Sequence, residues 1–171
     1  MFRETQKFRQ PWLWLIIMFI ALGLLWPVYS HIITGAQPGK QPMPMWVSII
    51  LIITTLGGIL LMYSARMDVE IDEEGITFSF FPLVGKKKML WSQVENVYVR
   101  EYNAILEYGG WGIRYSMGKR KGRALCVSGK MGIQIIGKDE KKLLLGTQKA
   151  QEASVILSKL AKQRIVKNVA E

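Results

Sequence analysis

The chain has one cysteine, Cys126, and one histidine, His31. A single cysteine excludes an intrachain disulfide, which suits a reducing compartment. The lone histidine lies early in the chain, so the later part has no Cys–His pair, no metal-ligand spacing and no ordered phosphate-cradling glycine motif. Acidic residues are scarce, 13 against 23 Lys and Arg, for a net charge of +10 over 171 residues. Charge is missing altogether from 12–29 and 45–63. These absences point away from catalysis. The expectation is no enzyme activity, no cofactor and no metal, with Cys126 as a small core residue.

What is present begins with those two apolar runs. Each has about the 17–25 residues that cross a ~30 Å hydrocarbon core, and such runs are rare as buried helices of soluble domains. Trp12 and Trp14, then Trp26 and Tyr29, mark the ends of the first run, and Trp46 and Tyr63 bracket the second. Rings of this kind favour the headgroup level. The expectation is a transmembrane helical hairpin over 11–63, with spans at about 12–30 and 45–63. Pro27 is close enough to the outer end to kink or end its helix at modest cost. Ser48, Thr54, Thr55, Gly57 and Gly58 give the second helix a small-residue face for the first helix or for another copy.

Arg3, Lys7 and Arg9 precede the hairpin, and Lys40 is the only basic residue in the turn 34–44. The positive-inside rule then places both termini in the cytoplasm, in a multi-pass protein of the cell (inner) membrane. A cleaved signal peptide competes for the same segment. Thr34-Gly35-Ala36 faintly resembles a cleavage site, but the apolar run is too long for a typical signal core. Residues 1–10 read as a basic arm with a topological role.

From Arg66 the apolar period changes from helical to alternating. Met67, Val69 and Ile71, then Ile76, Phe78 and Phe80, predict two strands around the turn Asp72–Gly75. Further strands are expected at 88–91, 94–102, 111–116, 123–127, 132–136 and 142–145, with 103–110 as a loop. Thr147 is a plausible N-cap for a helix over 148–168, with Ala153, Ile156, Leu157, Leu160 and Ala161 at helical spacing. The expected fold is thus α+β: a two-helix hairpin, then an antiparallel barrel or sandwich of seven or eight strands over 66–171, capped by the C-terminal helix.

Leu90-Trp91-Ser92-Gln93-Val94, Gly109-Gly110-Trp111-Gly112-Ile113-Arg114 and Leu145-Gly146-Thr147-Gln148-Lys149 occur in this strand–helix order. With them the chain resembles bacterial pleckstrin-homology-like domains attached to membrane hairpins, over about 66–160. The resemblance implies a pleckstrin-homology-like barrel and no enzyme activity. Within its most specific run, Trp111 is expected in the core, and Arg114 beside Glu101 or Glu107.

Read as an up-and-down meander, the strands return alternate loops to the bilayer. One such loop holds Phe81, Leu83, Val84, Lys86, Lys87 and Lys88, and another holds Ile105 and Leu106. The turn 128–131 also returns, whereas 72–75 and 137–140 point away. Apolar tips beside lysines suit anionic headgroups, as against an ordinary solvated lysine run. Lys119, Arg120, Lys121 and Arg123 fall at the far pole. There they suit an acidic protein partner better than nucleic acid, because no aromatic is interleaved for base stacking. The expected function is a membrane-anchored, non-enzymatic module that binds lipid headgroups or a protein partner and self-associates. The alternatives are an accessory subunit of a transport or envelope complex using the hairpin as its contact surface and, more remotely, a membrane enzyme.

Overall fold

The computed structural model describes residues 1–34, 44–116 and 122–163. The chain forms two compact units, Phe8–Ser64 and Met1–Lys7 with Ala65–Glu171.

The first unit is a pair of helices, α1 (Pro11–Thr34) and α2 (Met45–Ser64). Both are long and apolar enough to cross a membrane. α1 continues through Pro27, about two turns before the helix end. Ser30 Oγ donates to the Pro27 carbonyl at 3.0 Å. The two helices contact each other along a face of α2 containing half-buried Ser48 and buried Thr55, whose hydroxyl donates back to Leu51 O at 2.7 Å. Thr54, Gly57 and Gly58 lie on the exposed side, and a Cβ at either glycine would meet nothing. The expected small-residue face is therefore divided between two sides of α2. Trp14 and Tyr63 meet edge to face at 6.4 Å.

The second unit is a two-sheet sandwich with nine strands among the described residues, against the seven or eight expected. The addition is β1 (Phe2–Lys7), in the segment read as a free basic arm. It pairs antiparallel with β2 (Arg66–Ile71), from Phe2 opposite Ile71 to Lys7 opposite Arg66. β3 (Gly75–Phe81) and β4 (Val84–Leu90) complete the first sheet, in the order β1-β2-β3-β4. Its inner rows are Phe2, Ile71 and Ile76, then Glu4, Val69 and Phe78, then Gln6, Met67 and Phe80. The outer rows carry Arg3, Glu70 and Thr77, then Thr5, Asp68 and Ser79. This alternation is the period-2 pattern of a sheet with one face in the core.

A 3₁₀ turn at Trp91–Gln93 leads into the second sheet. Its strands are β5 (Val94–Glu101), β6 (Gly112–Tyr115), β7 (Gly122–Cys126), β8 (Met131–Gly137) and β9 (Lys142–Thr147). The order is β5-β8-β9-β7-β6, with β7 parallel to β9, so this sheet is neither a meander nor wholly antiparallel. The β6–β7 hairpin is placed at the far side of β9. There its apolar residues Ala124 and Leu125 are fully buried. The helix α4 (Ala150–Lys162) packs against β1, β5 and β8 through Ala153, Leu157 and Leu160, closing the opening between the sheets. Its N-cap is Lys149, not Thr147, which is the last residue of β9. The expected continuation to 168 falls partly on 164–171, outside the described residues.

Candidate functional site

Chain connectivity defines one edge of the sandwich. Lys7, where the chain leaves for the helical hairpin, and Arg66, just after it returns, are strand partners, and Arg66 is paired in turn with Phe81. The two-residue turn Pro82-Leu83 follows at the same edge. Phe81 and Leu83 are exposed, 49% and 65%, while Val84 is buried. The Arg66 guanidinium stands 5.6 Å from the centre of the Phe81 ring.

The three lysines are not in this turn. Lys86, Lys87 and Lys88 lie along β4, an outer strand of its sheet, where charge also discourages edge-to-edge association. Lys86 and Lys87 are exposed and have no ion pair among the described residues. Lys88 is at the opposite end, 2.6 Å from Glu74 and 3.3 Å from Asp72. The bond it donates to Glu74 raises its pKa above the ordinary lysine value despite some desolvation. Desolvation is the largest single influence on Asp72 and works upward. Bonds from the Gly75 and Glu74 amides, with Lys88, outweigh it and lower the carboxyl pKa. Lys88 thus locks the acidic turn rather than serving a basic loop.

The expected loop 103–110 contains a short helix, α3 (Ala104–Tyr108). The Asn103 side chain caps it, accepting from Ile105 N at 3.1 Å and Leu106 N at 3.0 Å. Gly109 ends it at φ 73°, a left-handed conformation that suits glycine. Gly110 and Gly112 also have positive φ, a backbone reason for the Gly-Gly-Trp-Gly run. Glu107 binds Arg100 with both oxygens, at 3.2 and 2.8 Å, which raises the arginine pKa, and it also accepts from Asn103 N. This framework holds Ile105 and Leu106 outward, 60% and 84% exposed.

Arg114 is not beside Glu101 or Glu107. It is exposed and donates to the Trp111 carbonyl at 3.1 Å, with half-buried Ile113 before it. Trp111 precedes β6 and packs half-buried against Tyr102, Ala104, Ala124, Cys126 and Leu144. Burial pushes the Cys126 thiol pKa up, and the Tyr102 phenol rises for the same reason, with Cys126 adding to it. Neither is an ionised nucleophile at neutral pH.

Register also sorts the second sheet's ends. Glu101 opposite Met131, Met131 opposite Thr147 and Gly112 opposite Cys126 gather α3, the bend at 127–130 and Thr147 at one end. Ile136 opposite Lys142, and Gly122 beside Lys142, place the 138–141 turn and the start of β7 at the other. Lys119, Arg120 and Lys121 lie outside the described residues. Arg123 has its guanidinium 5.6 Å from the Tyr115 ring centre.

Residues that sequence reading passed over join the two sheets. Glu4 is 5% exposed and accepts from Thr147 Oγ1 at 2.6 Å, Gln148 N at 2.8 Å and Gln6 Nε2 at 3.0 Å. Gln6 Nε2 also donates to Gly146 O at 2.8 Å. Gln6 and Glu4 thus join β1 to the end of β9, with Gln6 at Gly146 and Glu4 at Thr147 and Gln148. The available signal was Phe2-x-Glu4-x-Gln6, an alternation in which two of the inward residues are polar.

The outer face of the first sheet forms a cleft of about 430 Å³ beside the same edge. Asp68 anchors its floor, accepting from Thr5 Oγ1 at 2.6 Å and Ser79 Oγ at 3.4 Å, with Arg66 Nε 3.5 Å away. Arg3 and Lys86 stand on the strands at its two sides.

No protein-family model matches this chain, and no curated protein matches it.

Proposed function

We propose that the protein is a membrane-anchored, non-enzymatic module. In this reading the hairpin crosses the cell membrane, and the sandwich is held at the cytoplasmic face with Phe81, Leu83, Ile105 and Leu106 in the interface of the inner leaflet. The observation that carries it is where apolar side chains are exposed. Among the described residues outside the hairpin, eight large apolar side chains are exposed, and four are these. Phe81 and Leu83 lie at the edge from which the chain leaves for the hairpin, and this reading turns α3 to the same side. Each is worth up to ~1.5–3 kcal/mol if fully buried, and Lys86, Lys87 and Lys130 add ~1 kcal/mol apiece near an anionic surface. Pairing of β1 with β2 supports the topology: a spanning hairpin inserted between two paired strands must have both ends on one side.

The pleckstrin-homology-like assignment is part of the same proposal. Setting aside the β6–β7 hairpin leaves a four-stranded meander, the β5-β8-β9 meander and a closing helix. The resemblance itself covers about 66–160, with the β6–β7 strands and without β1.

The test uses the full chain in vesicles, with Cys126 replaced by alanine and a fluorophore on Leu83→Cys, Leu106→Cys or Glu73→Cys. Lipids brominated near the glycerol are expected to quench the first two labels several-fold more than the third. Equal quenching at all three positions would refute membrane apposition. Maleimide reaching the Glu73→Cys site from outside intact cells would refute the cytoplasmic placement.

A further inference from the structure

We propose that the cleft on the outer face of the first sheet binds the headgroup of an aminophospholipid, with phosphate nearer the Arg66 edge and the primary ammonium deeper in. This rests on the reading that this edge faces a bilayer. The cleft begins at Arg66 and Phe81 and reaches inward to Glu70 and Thr77. Arg66 and Glu70 are four residues apart on one strand, about 13 Å. The Arg66 side chain reaches inward to the Asp68 row, its Nε 3.5 Å from that carboxylate, and the next row holds Glu70 with Arg3 opposite it.

The charges left over define the ligand. Asp68 is already engaged by Thr5, Ser79 and Arg66. Among the described residues, Lys86, Arg3 and Glu70 lack an ion pair. Lys86 with Arg66 suits one phosphate. Glu70, half-buried, across from Arg3 and one row from Asp68, is a carboxylate without an ion pair and accepts from a cation. That cation must donate hydrogen bonds to satisfy a carboxylate, so a primary ammonium fits and a quaternary choline does not. Phe81 at the mouth offers an apolar wall to the glycerol and first methylenes.

The experiment follows lipid retention by the delipidated full chain in detergent, titrated with phosphatidylethanolamine, phosphatidylcholine or phosphatidylglycerol and read by native mass spectrometry. The wild-type chain is expected to retain phosphatidylethanolamine about tenfold over phosphatidylcholine, the effect of one charge-assisted hydrogen bond. Glu70→Gln, on the outer face, removes that preference and raises phosphatidylglycerol retention. Lys86→Glu lowers retention of all three. Equal wild-type retention of ethanolamine and choline lipids overturns the proposal, as does a preference that survives Glu70→Gln. Displacement by water-soluble glycerophosphoethanolamine at matching concentration overturns the lipid as occupant. If the Leu83 label is quenched as above but no headgroup preference is found, this inference alone fails. If quenching is also absent, the membrane reading fails with it.

Discussion

Replacing Glu4 by alanine tests whether the first seven residues are an arm or a strand. The Glu4 carboxylate meets three donors, the Thr147 hydroxyl, the Gln148 amide and the Gln6 side chain, inside the sandwich. Alanine leaves all three without this acceptor. Removing a partner from a buried donor costs about 1–3 kcal/mol, and because Gln148 is exposed, water meets part of the demand there. Taking the low end for each gives about 3 kcal/mol, a sizeable share of a typical domain stability of about 5–15 kcal/mol. Because the bonds join β1 to β9, the loss should fall on those strands first. Hydrogen exchange of the full chain in lipid nanodiscs reads it directly, since 3 kcal/mol corresponds to roughly a hundredfold faster opening. Thr5→Ala is the control: its neighbouring side chain is on the outer face, bonded to Asp68. Exchange in β1 within about threefold of wild type for Glu4→Ala, or an equal acceleration for Thr5→Ala, would refute the clasp.

Two further outcomes follow from the same geometry. The lowered Asp72 pKa means that its contribution is present above the unfolded value near 3.8 and is lost as pH falls through the folded value. The raised Lys88 pKa means that its contribution is present below 10.5 and is lost as pH rises through the folded value. NMR titration should therefore find the Asp72–Gly75 turn ordered across the neutral range and loosening at both extremes. A turn that loosens near pH 7 would contradict the assignment. Arg100→Lys keeps the charge but loses the two-oxygen grip on Glu107, and should destabilise α3 by about 1.5 kcal/mol, visible as faster exchange at 104–108 and unchanged exchange in β2.

Much of the second unit was legible because its strands alternate. Met67, Val69 and Ile71, with Ile76, Phe78 and Phe80, form the core face that their spacing implies. α4 likewise buries Ala153, Leu157 and Leu160. α3 was missed because five residues are too few for a periodic signal, and its stability comes from the Asn103 cap, Gly109 and the Arg100–Glu107 pair. The lysines of β4 resemble a loop in sequence because an outer strand tolerates polar residues at consecutive positions. Lys88 found its carboxylates fourteen and sixteen residues back in the chain, across a turn.

By itself the sequence determined two helices long and apolar enough for a bilayer, and a later chain whose two-residue period demands sheets. Both properties are local, set by side-chain transfer energies and by the geometry of one helix or one strand. Only the tertiary structure decided that Phe2–Lys7 completes the first sheet and that β7 runs parallel to β9. Those choices depend on which backbone edge is open, and on whether inward polar groups such as Glu4 and Gln6 meet donors and acceptors. Their answering groups are contributed by Gly146, Thr147 and Gln148, some 140 residues away. No window on the sequence spans that distance, so the partners become known only when the sheets are packed.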